Sequence, residues 1–439
     1  FMFGPRALPD SRFRQDDAPP YTVNEAAPAE GRPSAVPTEH DVEPESASVG
    51  GLEVESLTST DNAALQHKVP TAAKPHGSGP SVCLGKDILT GAEVRWSLTV
   101  KGNPHLLVAG LPGMGKTTCL LNLCRQMLEA GIQPIVFSYH QDIDENLVHL
   151  VPSVRFFDFA GLGFNPLQVI DRQSRLAYLD VAGALRDIFV AIFPELGDIQ
   201  GESIRNAIKQ SFIEHGWDDP NADLRQLQEP EFRRFFDILR AAPKPDRGHR
   251  SLLARLEELA DYGFFNLAGS CGSLWDSSEP TVIRIHRTQN DNLQKAFASL
   301  VFYKLYKDMF RRGTQHSITH AVIFDEAHRA ARLTLIPTMA KECRKYGISL
   351  VLASQEAKDF HVSLFSAIAN YLVLRVTEAD AKALIRNVAS SDQERTLIDK
   401  IKQIERFRAL YFSEQRKKPC LVALQPLTKT SCANSPTSV

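Results

Sequence analysis

His105-Leu-Leu-Val-Ala-Gly110-Leu-Pro-Gly113-Met-Gly115-Lys116-Thr117-Thr118 decides the fold. Its apolar start reads as a buried strand, His105–Ala109. Its middle fits G-x-x-x-x-G-K-[ST]. The adjoining stretch, Thr117–Ala130, is spaced as a helix that stops at Gly131. Strand, glycine loop and helix together are the layout that cradles phosphate. Glycines let the backbone wrap closely, and free N–H groups at the helix start face an anion. The expected binding loop is Gly110, Leu111, Pro112, Gly113, Met114, Gly115, Lys116, Thr117 and Thr118. Lys116 is expected to neutralise β- and γ-phosphates, and the Thr117 hydroxyl to ligate Mg²⁺.

Outward from the loop the chain alternates strands and helices. Pro134–Tyr139 and Val154–Phe157 read as strands, which argues for a parallel sheet covered by helices. Residues 167–262 change character. Leu176, Leu179, Val181, Ala184, Leu185, Ile188 and Phe189 recur at helical spacing, and Glu202–His215, Glu231–Arg240 and Ser251–Tyr262 also read as helices. This is an all-helical insertion within an α/β domain. The sheet is expected to resume at Thr281–His286, with a helix over Asn292–Phe310. Strands come next at His320–Phe324, Ile348–Ala353 and Tyr371–Val376, then a helix at Gln393–Ile404 and a hairpin of Phe407–Phe412 with Cys420–Leu424. A first hairpin, Val82–Leu84 with Glu93–Leu98, precedes the loop.

Two of these strands end in polar groups. Ala321-Val-Ile-Phe-Asp325-Glu326-Ala327-His328 delivers a carboxylate pair to the sheet's C-terminal edge. Asp325 is expected to hold Mg²⁺, and Glu326 to orient or deprotonate an attacking water. The alternative is an acidic helix start. His328 either couples to a neighbouring element or lies on a helix face. Ile348-Ser-Leu-Val-Leu-Ala-Ser354-Gln355 ends in Gln355, either a sensor of the γ-phosphate or a strand-ending turn residue. Arg344 is either a cation aimed at the phosphate of a neighbouring subunit or part of a solvated basic face; Arg375 is a second candidate. Asp142 and Asp144 read as loop-surface acids, with contact to the nucleotide region or the subunit interface as the alternative. The runs Arg311-Arg312 and Arg416-Lys417-Lys418 are expected to be solvated, with contact to DNA phosphate as the alternative.

Composition sets the limits. The 439 residues are 43% hydrophobic and 23% charged, as in ordinary globular proteins. Lys+Arg total 50 and Asp+Glu 52, a net of -2 that does not mark a simple basic nucleic-acid binder. The sum averages two unequal parts. Residues 1–80 carry 6 basic and 12 acidic side chains and 11 of the 26 prolines, leaving a net of +4 on the remaining 359. Residues 1–80 are expected to be a disordered acidic leader. Residues 81–426 are the expected ATPase domain, and 427–439 a flexible tail. Seven scattered cysteines without a C-x-x-C pair favour a reducing, cytoplasmic setting. No apolar run reaches membrane-span length. The opening Phe1-Met2-Phe3 leaves open that the chain is a fragment of a longer protein.

The ordered set of motifs resembles the HerA/FtsK superfamily of P-loop ATPases, and within it the HerA-like branch. Four features carry the resemblance: Asn103-Pro104-His105 before the loop, Phe164-Asn165-Pro166-Leu167 before the insertion, Asp325-Glu326-Ala327-His328, and Arg344-Lys345-Tyr346-Gly347-Ile348 running into Ser354-Gln355. The resemblance spans about residues 82–426. It implies a RecA-like core with a parallel-rich sheet. It also implies a ring, usually a hexamer, that hydrolyses ATP with Mg²⁺ and moves double-stranded DNA. It supports Lys116 and Thr117 as nucleotide ligands, Asp325 and Glu326 as the metal and water pair, Gln355 as sensor and Arg344 as a finger in trans. Restriction or anti-phage defence is the favoured analogy, ahead of DNA-end resection. The alternatives are a conjugation- or secretion-type ATPase moving DNA or protein, and an ATP-dependent module that recruits a nuclease. A superfamily 2 helicase is disfavoured, because only 84 residues come after Gln355, too few for a second RecA-like domain.

Overall fold

The computed structural model describes residues 79–427 except 152, 162, 244, 269–271, 331–332 and 417. The expected leader, but for its last two residues, and the expected tail, but for Leu427, lie outside the described residues.

The described chain opens with an antiparallel pair, β1 (Ser81–Asp87) and β2 (Glu93–Ser97). Strand β3 (Leu106–Ala109) leads into α1 (Lys116–Glu129), then β4 (Gln133–Ser138), α2 (Gln141–Val148) and β5 (Arg155–Phe157). Four helices interrupt the sheet: α3 (Ala177–Ile192), α4 (Asp198–Ile213), α5 (Phe232–Arg240) and α6 (Arg247–Asp261). The sheet returns with β6 (Thr281–Arg284), α7 (Asp291–Met309), β7 (His320–Phe324), α8 (Leu335–Glu342) and β8 (Ile348–Ser354). Next come the one-turn α9 (Val362–Phe365), β9 (Asn370–Val373), α10 (Glu378–Ile385) and α11 (Ser391–Lys402). The hairpin β10 (Arg408–Ser413) and β11 (Cys420–Leu424) closes the fold.

All eleven strands join one sheet, ordered β2-β1-β11-β10-β9-β3-β8-β7-β4-β6-β5. The seven from β9 to β5 run parallel, and the rest pair antiparallel. This is the expected RecA-like P-loop α/β architecture. No second sheet exists among the described residues. Strands β3, β7 and β8 are buried along their whole length, as expected of largely apolar strands inside a parallel sheet. Side chains alternate between faces. Leu107 and Ala109 join the core that contains the inserted helices, while Leu106 and Val108 join the core under α1.

The chain leaves β3 for β4 on one side, and β9 enters on the other. That reversal opens a crevice at the carboxyl ends of the strands, where α/β sheets bind ligands.

The insertion is helical as expected, and its core is continuous with one face of the sheet. On α5, Phe232, Phe235, Phe236 and Leu239 form one buried face at helical spacing. Their rings interlock with Phe264 and Phe265; Phe236 stacks on Phe265 with centroids 4.7 Å apart. Four helices differ from expectation by existing at all: α2, α8 and α10, each eight residues long, and the one-turn α9. Two turns show too little periodicity to separate a helix from a loop.

Candidate active site at the carboxyl edge of the sheet

The loop between β3 and α1 is tied down on both sides. Gly110 N–H donates to Ser354 O (3.1 Å) at the end of β8, and Leu111 N–H donates to Arg375 O (2.8 Å) just beyond β9. Helix α1 starts from Gly115 in the left-handed region, at φ 108° and ψ 16°. Only glycine takes that conformation without steric cost. Lys116, buried at the first helical position, donates from Nζ to Gly110 O at 2.7 Å. The first-turn N–H groups of α1 have no acceptor inside the helix, which suits an anion.

Two strands away, β7 delivers Asp325 and Glu326 to the same edge. Both are buried, with 2% and 4% of their surface exposed. Burial pushes the Asp325 carboxyl up to about 7; Glu326 and Asp142 push the same way, and Lys116 opposes them. Burial likewise lowers Lys116, opposed by the charges of Glu326 and Asp325. Asp325 Oδ2 and Glu326 Oε2 have no hydrogen-bond partner. Two unpaired buried carboxylate oxygens beside a buried ammonium call for a further group at this point.

Oxygen donors of this kind fit Mg²⁺, which takes one or two protein ligands and fills its shell from phosphate and water. Among the described residues, no three or more His, Cys, Asp or Glu are arranged to hold a metal by themselves. Thr117 and Asp325 are the residues that would hold the ion.

Gln355, one residue past β8, donates from Nε2 to Glu326 Oε1 at 2.7 Å. Two histidines flank the same carboxylate. His140 Nε2 lies 3.6 Å from Oε1, and His328 Nδ1 lies 3.2 Å from Oε2 without hydrogen-bond alignment. His328 Nδ1 also lies 3.5 Å from Ser354 Oγ, so it sits between the β7 and β8 ends and not on a solvated helix face. The structure therefore brings together the loop residues 110–118, Asp325, Glu326 and Gln355.

Arg344 is not part of that cluster within one chain. It precedes β8, at the opposite edge of the sheet, and its guanidinium donates to Gly102 O at 2.9 Å. Seven strand residues, about 23 Å of chain, separate the two edges. Arg375 lies beside the loop with an exposed side chain.

Two surface expectations are corrected. Asp144 is a buried residue of α2, where its Oδ2 meets Arg284 Nε at 3.1 Å and His286 Nε2 at 2.8 Å. Burying an acid requires such partners. Arg312 is not free for phosphate. It lies over the Trp275 ring at 5.3 Å and donates to Thr319 Oγ1 at 2.7 Å. Arg416 and Lys418 are exposed, and Lys417 lies outside the described residues.

Sequence reasoning missed His140 and Phe407. His140 was hidden in the turn after β4. Phe407 was expected only as a hairpin residue, yet its N–H donates to Met114 O at 3.1 Å, on the loop itself. No motif marks either.

No protein-family model matches the sequence. No curated protein matches it. Solved structures do share its fold. VirB4 of Thermoanaerobacter pseudethanolicus is similar at 19% identity and a TM-score of 0.63, over 81% of this chain and 99% of that one. The bacterial conjugative coupling protein TrwBdeltaN70, in its unbound monoclinic form, is similar at 12% identity and a TM-score of 0.54, over 80% and 91%. The plasmid coupling protein TrwB in complex with ADP and Mg²⁺ is similar at 13% identity and a TM-score of 0.51, over 74% and 86%. No described helix is long and apolar enough to cross a membrane.

Proposed function

We propose that this chain is an ATP-hydrolysing motor of the conjugation or secretion type, moving DNA or protein, and that it works as a ring of copies. The observation that carries the reading is the buried Asp325–Glu326 pair beside Lys116, with Gln355 bonded to Glu326. A module that only binds nucleotide has no need of a positioned, buried carboxylate. The shared fold with VirB4 and with a conjugative coupling protein, one form of which holds ADP and Mg²⁺, supports the cofactor pair ATP and Mg²⁺. It also favours transfer over the restriction or anti-phage role that the HerA-like resemblance suggested.

In this reading Gly113–Thr118 hold the phosphates through backbone N–H groups, and Lys116 offsets their charge. Thr117 and Asp325 would hold Mg²⁺, which would supply positive charge to offset that of the phosphates. Glu326 takes a proton from the attacking water, and Gln355 fixes the carboxylate for that task. Arg344 can serve only a neighbouring copy, since it faces away from its own site. Residues 81–426 form the motor unit, acting in the cytoplasm where ATP is supplied.

The test is ATP hydrolysis by the full chain with and without duplex DNA, alongside its native mass. A ring-sized mass with DNA-stimulated turnover supports the proposal. A ring without DNA stimulation favours protein as cargo. A monomer with DNA-independent turnover overturns the motor reading and favours a module that recruits a nuclease.

A further inference from the structure

Among the described residues, Phe407 is the single non-glycine residue at positive φ, 61°. Such a conformation is strained for a bulky side chain and persists only where neighbours hold it. Here two backbone bonds do so. Phe407 N–H donates to Met114 O at 3.1 Å, and Phe407 O accepts from Leu424 N–H at 2.9 Å. The residue is thereby pinned between the phosphate loop and β11. Its ring lies over Gly115, so close that a Cβ there would meet it at 2.7 Å, yet 40% of the residue stays exposed. The Arg406 guanidinium stacks over the ring at 4.6 Å.

Beside this ring lies a cavity of about 520 Å³, running from Gly115, Thr118 and Cys119 to Gln425 and Leu427. Gln425 brings a buried side-chain oxygen that has no hydrogen-bond partner. A strained aromatic, an orphaned carboxamide oxygen and a cavity thus meet on the flank of the phosphate loop.

Sheet order fixes which end of a nucleotide this flank receives. Asp325 comes after β7, two strands from β3 on one side; Phe407 precedes β10, two strands from β3 on the other. Strand β10 is antiparallel to β9, so its start lies at the same edge as the loop. Four strand spacings of about 4.8 Å separate the two, with the phosphate loop between them. The carboxylate pair marks the reacting end, which leaves the Phe407 side for the nucleoside.

We infer that this cavity holds the nucleobase of the bound nucleotide, a purine stacked on Phe407 with its polar edge read by Gln425. The inference rests on residues 110–118 being a triphosphate site. A flat aromatic face stacks any base, and the Arg406 guanidinium already occupies the place a planar group takes. A glutamine carboxamide offers one acceptor and one donor pair, the match for the amino group and ring nitrogen of adenine.

The test compares ATP with inorganic tripolyphosphate, both with Mg²⁺, by calorimetric titration of the full chain. Phe407→Leu is expected to weaken ATP by about tenfold or more, the loss of one base–aromatic stack, and to leave tripolyphosphate unchanged. Phe407→Tyr retains ATP affinity. Phe407→Gly, which adopts positive φ without strain, folds and loses ATP affinity as Phe407→Leu does. Gln425→Ala narrows the preference for ATP over GTP. Equal weakening of ATP and tripolyphosphate by Phe407→Leu, or unchanged ATP affinity, overturns the inference. If the unaltered chain binds neither ligand, the nucleotide reading itself falls, and the base subsite with it.

Discussion

Gln355 Nε2 donates a 2.7 Å hydrogen bond to Glu326 Oε1, joining the ends of two neighbouring parallel strands. The glutamine therefore bears on the carboxylate proposed to handle water. Removing it frees Glu326 to rotate in its buried site. Gln355→Ala is expected to lower kcat by about a hundredfold, the cost of a slightly misplaced catalytic group, with a smaller change in the KM for ATP. Steady-state kinetics check this. Equal losses in binding and turnover would instead make Gln355 a phosphate ligand.

Lys116 binds the loop carbonyl of Gly110 and lies near two buried carboxylates. Lys116→Ala removes the one positive charge that opposes the raised Asp325 carboxyl. ATP binding is expected to weaken by about tenfold or more, as for a lost charge-assisted hydrogen bond. Equilibrium titration with ATP and Mg²⁺ reads it.

Gly115→Ala combines a left-handed φ of 108° with a Cβ placed 2.7 Å from the Phe407 ring. Backbone strain alone costs about 1–3 kcal/mol, so the variant is expected to unfold at a lower temperature. Gly131→Ala, at φ 78° with open space around it, should cost less. Thermal unfolding of the two variants side by side decides whether the Phe407 contact adds to the strain.

His105 precedes β3, and its Nδ1 accepts the Leu350 N–H at 3.0 Å. Burial is the main cause that pulls its pKa down from 6.5 to about 4; Arg344 adds to it, against a backbone bond with Ala340. Between those values the unfolded chain binds more protons than the folded one, so stability rises with pH. The contribution is present above about pH 6.5 and is lost as pH falls toward 4. Its size is about 3 kcal/mol. His105→Asn should flatten that part of the curve in denaturant unfolding measured from about pH 4 to about pH 7.

Much of this site was legible in the sequence because buried parallel strands write themselves as apolar runs. His320–Phe324 and Ile348–Ser354 each run straight into the polar residue that matters, and Leu106–Ala109 into the glycine loop, so strand and chemistry are read together. Asp144 and Arg312 were misread for one shared reason. A charged residue in a short polar segment looks solvated until its partner, distant in sequence, is known; Arg284 lies 140 residues from Asp144. Phe407 was beyond reach because nothing in a sequence marks a phenylalanine held at positive φ. Arg344 was singled out by its motif, but only the sheet shows that it lies at the edge opposite its own loop.

The most direct test of the central claim is single-turnover ATP hydrolysis by the full chain and by Glu326→Gln, with ATP binding measured in parallel. The account predicts that the unaltered chain turns over ATP only with Mg²⁺. It predicts that Glu326→Gln binds ATP comparably yet hydrolyses it about a hundredfold to ten-thousandfold more slowly, the range for a lost general base. Hydrolysis by Glu326→Gln at the unaltered rate would contradict it.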